Sequence, residues 1–246
     1  MNDKDDNFHS DWAYLYDWVY ETSFGSGYGR MGLVTTDAVR DLLPSTESRI
    51  ADIGAGTGRL TLSLLDAGYE ISAIDSSKAM LNVLEGKLKV DGKQTEIIHA
   101  PMSQFKTKPV DLALCVFTVF IYVTEDDELS ASLENISNHL KPGGYFLFDL
   151  ASDMFFQQGT VMSHRSDQLT RSAKITHIKD EIFEMRDHIS GIHDGKEFIH
   201  EEVFNVRRWD TDTVFGHLNQ NGLQRVDFDD SNFRFTGSRY FLFRKS

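Results

Sequence analysis

The chain has 246 residues, 40% hydrophobic and 26% charged, with 18 glycines and 4 prolines, which suits one packed domain carrying an insertion and excludes a disordered or fibrous chain. A net charge of −13, with no basic cluster longer than Arg207–Arg208 or Arg244–Lys245, repels a phosphate backbone and removes nucleic acid from the expected partners. One cysteine, Cys115 in an apolar run, excludes an intrachain disulfide; Met1–Asn7 is acidic and unlike a secretory signal, and no apolar run nears the ~20 residues of a membrane helix, so a soluble cytoplasmic protein without a membrane partner is expected.

Residues 1–45 are expected to be a helical, aromatic-rich lead. Alternating strand and helix signals then run through residues 46–150, the pattern of a parallel sheet with helices on both faces. Arg49–Ile53 predicts a strand, Thr57–Ala67 a helix, Glu70–Asp75 a strand, and Ser77–Leu88 a helix capped by Ser76. Glu96–His99 predicts a short third strand. Val110–Val116 is apolar almost throughout, as a central strand covered on both faces must be. Thr124 is placed to cap the next helix with Asp127 three residues on, and that helix ends before Lys141-Pro142-Gly143-Gly144 and a fifth strand, Tyr145–Leu150.

The rhythm changes over residues 151–209. Glu181–Ile192 and Lys196–Arg208 flank Asp194-Gly195, a two-residue hairpin turn. That register pairs Phe183 with Val206 and Met185 with Phe204 on an apolar face, and Glu184 with Asn205 and His188 with Glu201 on the other. Residues 210–246 predict a helix, Thr211–Asn221, ended by Gly222, then strands Leu223–Phe228 and Ser238–Phe243.

The most informative stretch is Asp52-Ile53-Gly54-Ala55-Gly56-Thr57-Gly58, between a strand and a helix. Its glycines permit a tight turn and let a ligand approach bare backbone. A dinucleotide fingerprint would need its third glycine at position 59, where this chain has Arg59. No Gly-Lys-Ser or Gly-Lys-Thr follows, so a P-loop is excluded. Asp75 ends the second strand 21 residues after Gly54, where a carboxylate can accept both hydroxyls of a ribose. Asp52 suits a cationic ammonium and repels a pyrophosphate.

On these residues the chain resembles the class I, Rossmann-like S-adenosylmethionine methyltransferases, especially the small-molecule group with sugar-amine and glycine N-methyltransferases, over roughly Trp12–Lys245. The resemblance implies a seven-stranded sheet with its last strand antiparallel, an antiparallel β-ribbon inserted after the fifth strand, and S-adenosylmethionine as cofactor. It implies that Asp52, Gly54, Ala55, Gly56 and Gly58 cradle the methionine end, that Asp75 binds the ribose, and that Ser76 and Met80 lie beside the adenosine. Ala100-Pro101-Met102 stands where the family often has Asp and a small residue, leaving the adenine amine to backbone groups there or to Ser103. Tyr14, Tyr16 and Asp17 are similar to the family's N-terminal lid, Phe117 and Tyr122 follow the fourth strand at the expected acceptor edge, and Tyr16, Pro101, Met102 and Phe117 are expected to join the cofactor-binding residues.

Plainer readings stand beside these. The N-terminal aromatics Trp12, Tyr14, Tyr16, Trp18 and Tyr20 also fit a helix packed on the core. The histidines in and near the ribbon lack the spacing of a zinc site, and no metal is expected. Methyl transfer mainly requires positioning, and an alcohol acceptor would also need a base. No base stands out; Tyr16, His99 and Tyr122 are the candidates. The expected reaction is N-methylation of a small-molecule acceptor, with Tyr14, Tyr16, Phe117 and Tyr122 as an apolar acceptor pocket. The alternatives are O-methylation and a non-catalytic S-adenosylmethionine sensor, and the ribbon's exposed edges allow a homodimer.

Overall fold

The computed structural model describes residues 8–246, with the backbone alone at positions 160 and 161, so the acidic start at Met1–Asn7 lies outside the described residues. Two sheets form the molecule. The larger has seven strands in the order β10-β11-β5-β4-β1-β2-β3, comprising β1 (Arg49–Ile53), β2 (Glu70–Asp75), β3 (Glu96–His99), β4 (Val110–Cys115), β5 (Leu140–Ala151), β10 (Leu223–Val226) and β11 (Ser238–Lys245). β11 lies antiparallel between β5 and β10. The apolar reading of β4 is met: five of its six residues are buried, Asp111 at the second position being half-buried. Cys115, at its end, is buried, and burial together with Asp149 and Asp52 pushes its thiol well up, so it is an inert thiol.

Helices α3 (Arg59–Asp66), α4 (Lys78–Asp91), α5 (Asp126–His139) and α6 (Thr211–Gln220) connect the strands, preceded by α1 (Tyr16–Phe24) and α2 (Ser26–Leu42). Two caps differ from expectation. Ser77, not Ser76, caps α4 by accepting a hydrogen bond from Met80 N at 3.3 Å, because α4 begins at Lys78 and Ser76 lies in the bend one residue too early. Glu125 occupies the cap position of α5 with no side-chain bond, since the turn Val119–Tyr122 delivers the chain one residue later than Thr124.

The second sheet, β6-β7-β8-β9, has four strands where two were expected: β6 (Gly159–Arg165), β7 (Leu169–Lys179), β8 (Ile182–His193) and β9 (Lys196–Arg207). The β8–β9 register is the expected one, with Phe183 opposite Val206 and Met185 opposite Phe204. Asp194 and Gly195 both take positive φ, 50° and 73°, as the tight turn requires. His188 does lie opposite Glu201, but Glu201 pairs with Arg186 at 2.7 Å. β7 escaped the pattern because its inward positions read Leu169, Arg171, Ala173, Ile175, and a charge interrupts the apolar alternation. Asp187 of β8 neutralises Arg171 inside the sheet, with Nη2···Oδ2 2.7 Å and Nε···Oδ2 3.1 Å. Among the described residues no helix is long and apolar enough to cross a membrane.

Candidate active site

The strand order reverses between β1 and β4, and ligands in open α/β sheets bind outside the carboxyl ends of the strands at such a point. The loop after β1 and the loop after β4 meet there. Gly54 takes φ +76°, and a Cβ on it would lie 2.5 Å from Val119 Cγ2 of the β4 loop. Gly58 takes φ +87°, and a Cβ there would lie 2.2 Å from Leu84 Cδ1 on α4. Gly56, at φ +56°, would meet nothing within 4 Å, so one side of the loop is bare backbone facing open space. Gly54 and Ala55 both donate to Ile74 O, at 2.8 and 2.9 Å, which holds the loop against the end of β2.

Asp75 is the hub of this edge. Its Oδ2 accepts from Gly56 N at 2.8 Å and its Oδ1 from Ser77 N at 2.7 Å. Burial raises its carboxyl, and the two N–H groups only partly oppose this. Each oxygen accepts one of these bonds, so acceptor sites remain for the hydroxyls of a bound diol. Asp52 lies deeper: it is buried in β1, accepts from Thr61 Oγ at 2.6 Å, and is pushed up to about 6 by burial. Ser76 O accepts from His99 Nε2 at 2.8 Å, which ties His99 to the backbone at the end of β3. Met80 is buried at the start of α4. Beyond β3, Ala100 N donates to Asp75 O, Pro101 is half-buried, and Met102 belongs to the core with its carbonyl accepting from Asn135. Ser103, offered as an adenine donor, instead donates to Glu128 at 2.7 Å.

After β4 the backbone is strained. Phe117 and Thr118 take φ of 72° and 64°, conformations that cost of order 1–3 kcal/mol each in non-glycine residues. Asp149 of β5 holds the kink, accepting from Thr118 N at 3.0 and 3.1 Å, and burial pushes its carboxyl up to about 6. The kink brings the Phe117 ring over the Arg59 guanidinium at 4.1 Å, with Tyr28 on Arg59 at 4.2 Å.

The N-terminal segment crosses this edge. Ser10 Oγ lies 3.1 Å from Ser77 Oγ, and Asp17 accepts from Thr57 Oγ at 2.8 Å, from Tyr28 at 2.8 Å and from Lys87. Tyr16 is half-buried between Trp12 and Tyr20, ring centroids 5.4 and 4.4 Å away, and burial and the neighbouring tyrosines push its phenol well up. Tyr14 points elsewhere. It is 65% exposed, because in the turn Ser10–Leu15 it falls opposite the buried Trp12 and Leu15, so it is withdrawn from the acceptor pocket. A shallow recess, continuous with solvent, opens farther along the edge, lined by Thr118, Asp149, Phe156, Arg207 and Trp209.

The methyltransferase domain family matches residues 50–144, the stretch that carries the glycine loop and Asp75. The structure of an S-adenosylmethionine-dependent methyltransferase from Clostridium acetobutylicum superposes over 98% of this chain and 100% of its own, with a TM-score of 0.78 and 20% identity. The chain shares the fold of this methyltransferase over nearly its whole length. DesVI of Streptomyces venezuelae shares the fold with a TM-score of 0.79 and 18% identity over 95% of this chain and 98% of its own. An amino pentose methyltransferase from Micromonospora echinaspora, solved with S-adenosylmethionine, gives 0.76 and 17% over 94% and 97%. In sequence, the cypemycin N-terminal methyltransferase of a Streptomyces species is 31% identical over 113 residues, 44% of each chain, and the chain spans about half the length of the curated relatives it matches.

Arg59 and His9 were not singled out as site residues from the sequence, whereas Asp17 was read there as part of an N-terminal lid. Arg59 had a signal, being a cation directly after the last loop glycine. His9 had none, since its partners lie 113 and 193 residues away.

Proposed function

We propose that this protein transfers a methyl group from S-adenosylmethionine to an amine nitrogen of a small molecule. The observation that carries the reading is Asp75: a half-buried carboxylate at the end of β2, fixed by two loop N–H groups and with acceptor sites left for a ribose. The cofactor supplies a methyl group already activated as a sulfonium. Asp75 would hold its ribose, the bare Gly54–Gly58 backbone with Asp52 beneath would face its methionine end, and Ser76, Met80, Pro101 and Met102 would border its adenine. Arg59, braced by Phe117 and Tyr28, would oppose the methionine carboxylate. Tyr16, Tyr20 and Tyr122 would enclose the acceptor and tolerate a cation through their faces. The amine reading draws support from relatives and neighbours whose names specify N-terminal or amino-sugar methylation.

Calorimetry with S-adenosylmethionine, S-adenosylhomocysteine and NAD tests the cofactor. The expected result is micromolar binding of the first two and none of NAD, with affinity weakened at least 30-fold in Asp75→Ala, about 2 kcal/mol. Binding of NAD alone would overturn the reading. Methylated products from a panel of amino sugars, peptide N-termini and their hydroxyl analogues then locate the new carbon by NMR; a methyl on oxygen would overturn the amine assignment. We also propose a homodimer through the edge strand β9, which pairs with no further strand beyond β8 among the described residues and where Ile199 and Val203 are exposed; sedimentation showing only monomer would remove it.

A further inference from the structure

Three residues from three separate parts of the chain form one hydrogen-bonded line beside the cofactor edge. Glu202 of β9 holds His9 twice: Oε1 accepts from His9 N at 2.7 Å, and Oε2 lies 2.7 Å from His9 Nδ1. His9 Nε2 lies 2.9 Å from the hydroxyl of Tyr122, in the turn after β4. His9 is 6% exposed, walled by Trp12, Tyr16 and Phe204 at centroid distances of 4.9, 5.5 and 5.7 Å. It takes φ 59°, a left-handed conformation uncommon for a side-chain-bearing residue, and the double grip of Glu202 maintains it.

The protonation pattern follows from the partners. Burial works against the Glu202 carboxylate, but the His9 ring and the N–H bonds outweigh it and hold the carboxyl below its usual range. An ionised carboxylate only accepts, so the Nδ1 facing Glu202 carries a proton; with a single proton on the ring, Nε2 is then the acceptor for the Tyr122 hydroxyl. Burial pushes the Tyr122 phenol well up, which keeps it protonated and makes it a conduit for a proton, not its resting place.

We propose that Glu202, His9 and Tyr122 form a proton relay that takes the proton released when the acceptor nitrogen is methylated. This rests on the methyltransferase reading above. The N–H proton of the methylated nitrogen passes to Tyr122 Oη as the phenol's own proton passes to His9 Nε2, leaving a neutral amine and an imidazolium whose Nδ1–H faces Glu202. The imidazolium then loses its proton to solvent. In this relay Tyr122 is the catalytic residue, because the acceptor nitrogen would meet its hydroxyl; His9 and Glu202 are positioning residues that act through it. The order matches a general base oriented by a half-buried carboxylate, with a phenol interposed.

The first test needs no acceptor. Nitrogen-15 spectra of the His9 ring in the full-length protein, with and without S-adenosylhomocysteine, are expected to show a protonated Nδ1 and a bare Nε2. Tyr122→Phe should shift the Nε2 resonance and leave Nδ1 in place. A protonated Nε2, or an Nε2 resonance that ignores Tyr122→Phe, overturns the relay. The second test is turnover of whichever amine the panel identifies. His9→Gly keeps the positive φ without strain and removes the ring; kcat should fall about 100-fold with KM within about threefold, as expected for lost general-base assistance. Free imidazole at tens of millimolar should restore at least a tenth of the lost rate, an effect that repair of a merely structural contact would not produce. A raised KM with unchanged kcat, or no response to imidazole, overturns the proposal. Failure of the wild-type protein to bind S-adenosylmethionine would instead overturn the methyltransferase reading, and the ring spectra would still decide whether the relay exists.

Discussion

The two sheets solve the same burial problem by different means. The seven-stranded sheet covers β4 on both faces with apolar residues and places its polar groups at the carboxyl edge, where Asp75 and the glycine loop meet. The four-stranded sheet buries an Arg171–Asp187 ion pair on its inner face and receives the N-terminal aromatics over it, with the Arg171 guanidinium 4.3 Å from the Tyr20 ring. Apolar burial tolerates approximation, whereas a buried charge tolerates none, because its partner must be present and in register. The first sheet is therefore a general scaffold, and the second is specialised to hold one N-terminal segment against one edge.

The largest expected effect breaks that specialised contact. Asp187→Ala strands a buried guanidinium and should destabilise the fold by about 3–5 kcal/mol in urea denaturation, while replacing both partners by apolar residues should restore most of the loss. Glycines sharpen the contrast next. Gly58→Ala imposes both positive φ and a collision with Leu84 and should cost about 2–3 kcal/mol, whereas Gly195→Ala, with positive φ alone at the β8–β9 turn, should cost about 1 kcal/mol by the same assay.

A pH series separates the regions further. Asp52 and Asp149, both in the first sheet, are raised by burial to about 6 from an ordinary value of 3.8, so the native state binds protons more tightly than the unfolded chain. Their contribution to stability is complete below about pH 4 and lost as pH rises through about 6. Unfolding free energy should consequently fall by about 1–3 kcal/mol between pH 5 and pH 7, and Asp52→Asn should flatten part of that slope. The smallest effects test the N-terminal crossing: Asp17→Asn should weaken S-adenosylhomocysteine binding by about threefold to tenfold through loss of the Thr57 and Lys87 contacts, and Tyr14→Ala, on the outer surface, should leave it unchanged in calorimetry.

Much of the architecture was determined by the sequence itself. β1, β2 and β3 lie at the residues expected, because short isoleucine-bearing segments and the Gly54–Gly58 turn are local signals whose physics is complete within a few residues. The β8–β9 register was legible for the same reason, since Asp194-Gly195 admits few other turns. Asp75 was legible because its role depends only on ending a strand beside that loop.

The tertiary structure decided the rest. β7 was hidden because Arg171 breaks the apolar alternation, and only Asp187 across the sheet makes that charge tolerable. Tyr14 and Tyr16 look equivalent in the sequence, yet one is exposed and the other packed, since the turn Ser10–Leu15 shows a single face to the core. The line from Glu202 through His9 to Tyr122 has no local signature, being assembled from residues up to 193 positions apart. Local patterns specify which elements form, because their energies are short-ranged; which side chains meet depends on how two sheets and an N-terminal segment pack, and that is a property of the whole fold.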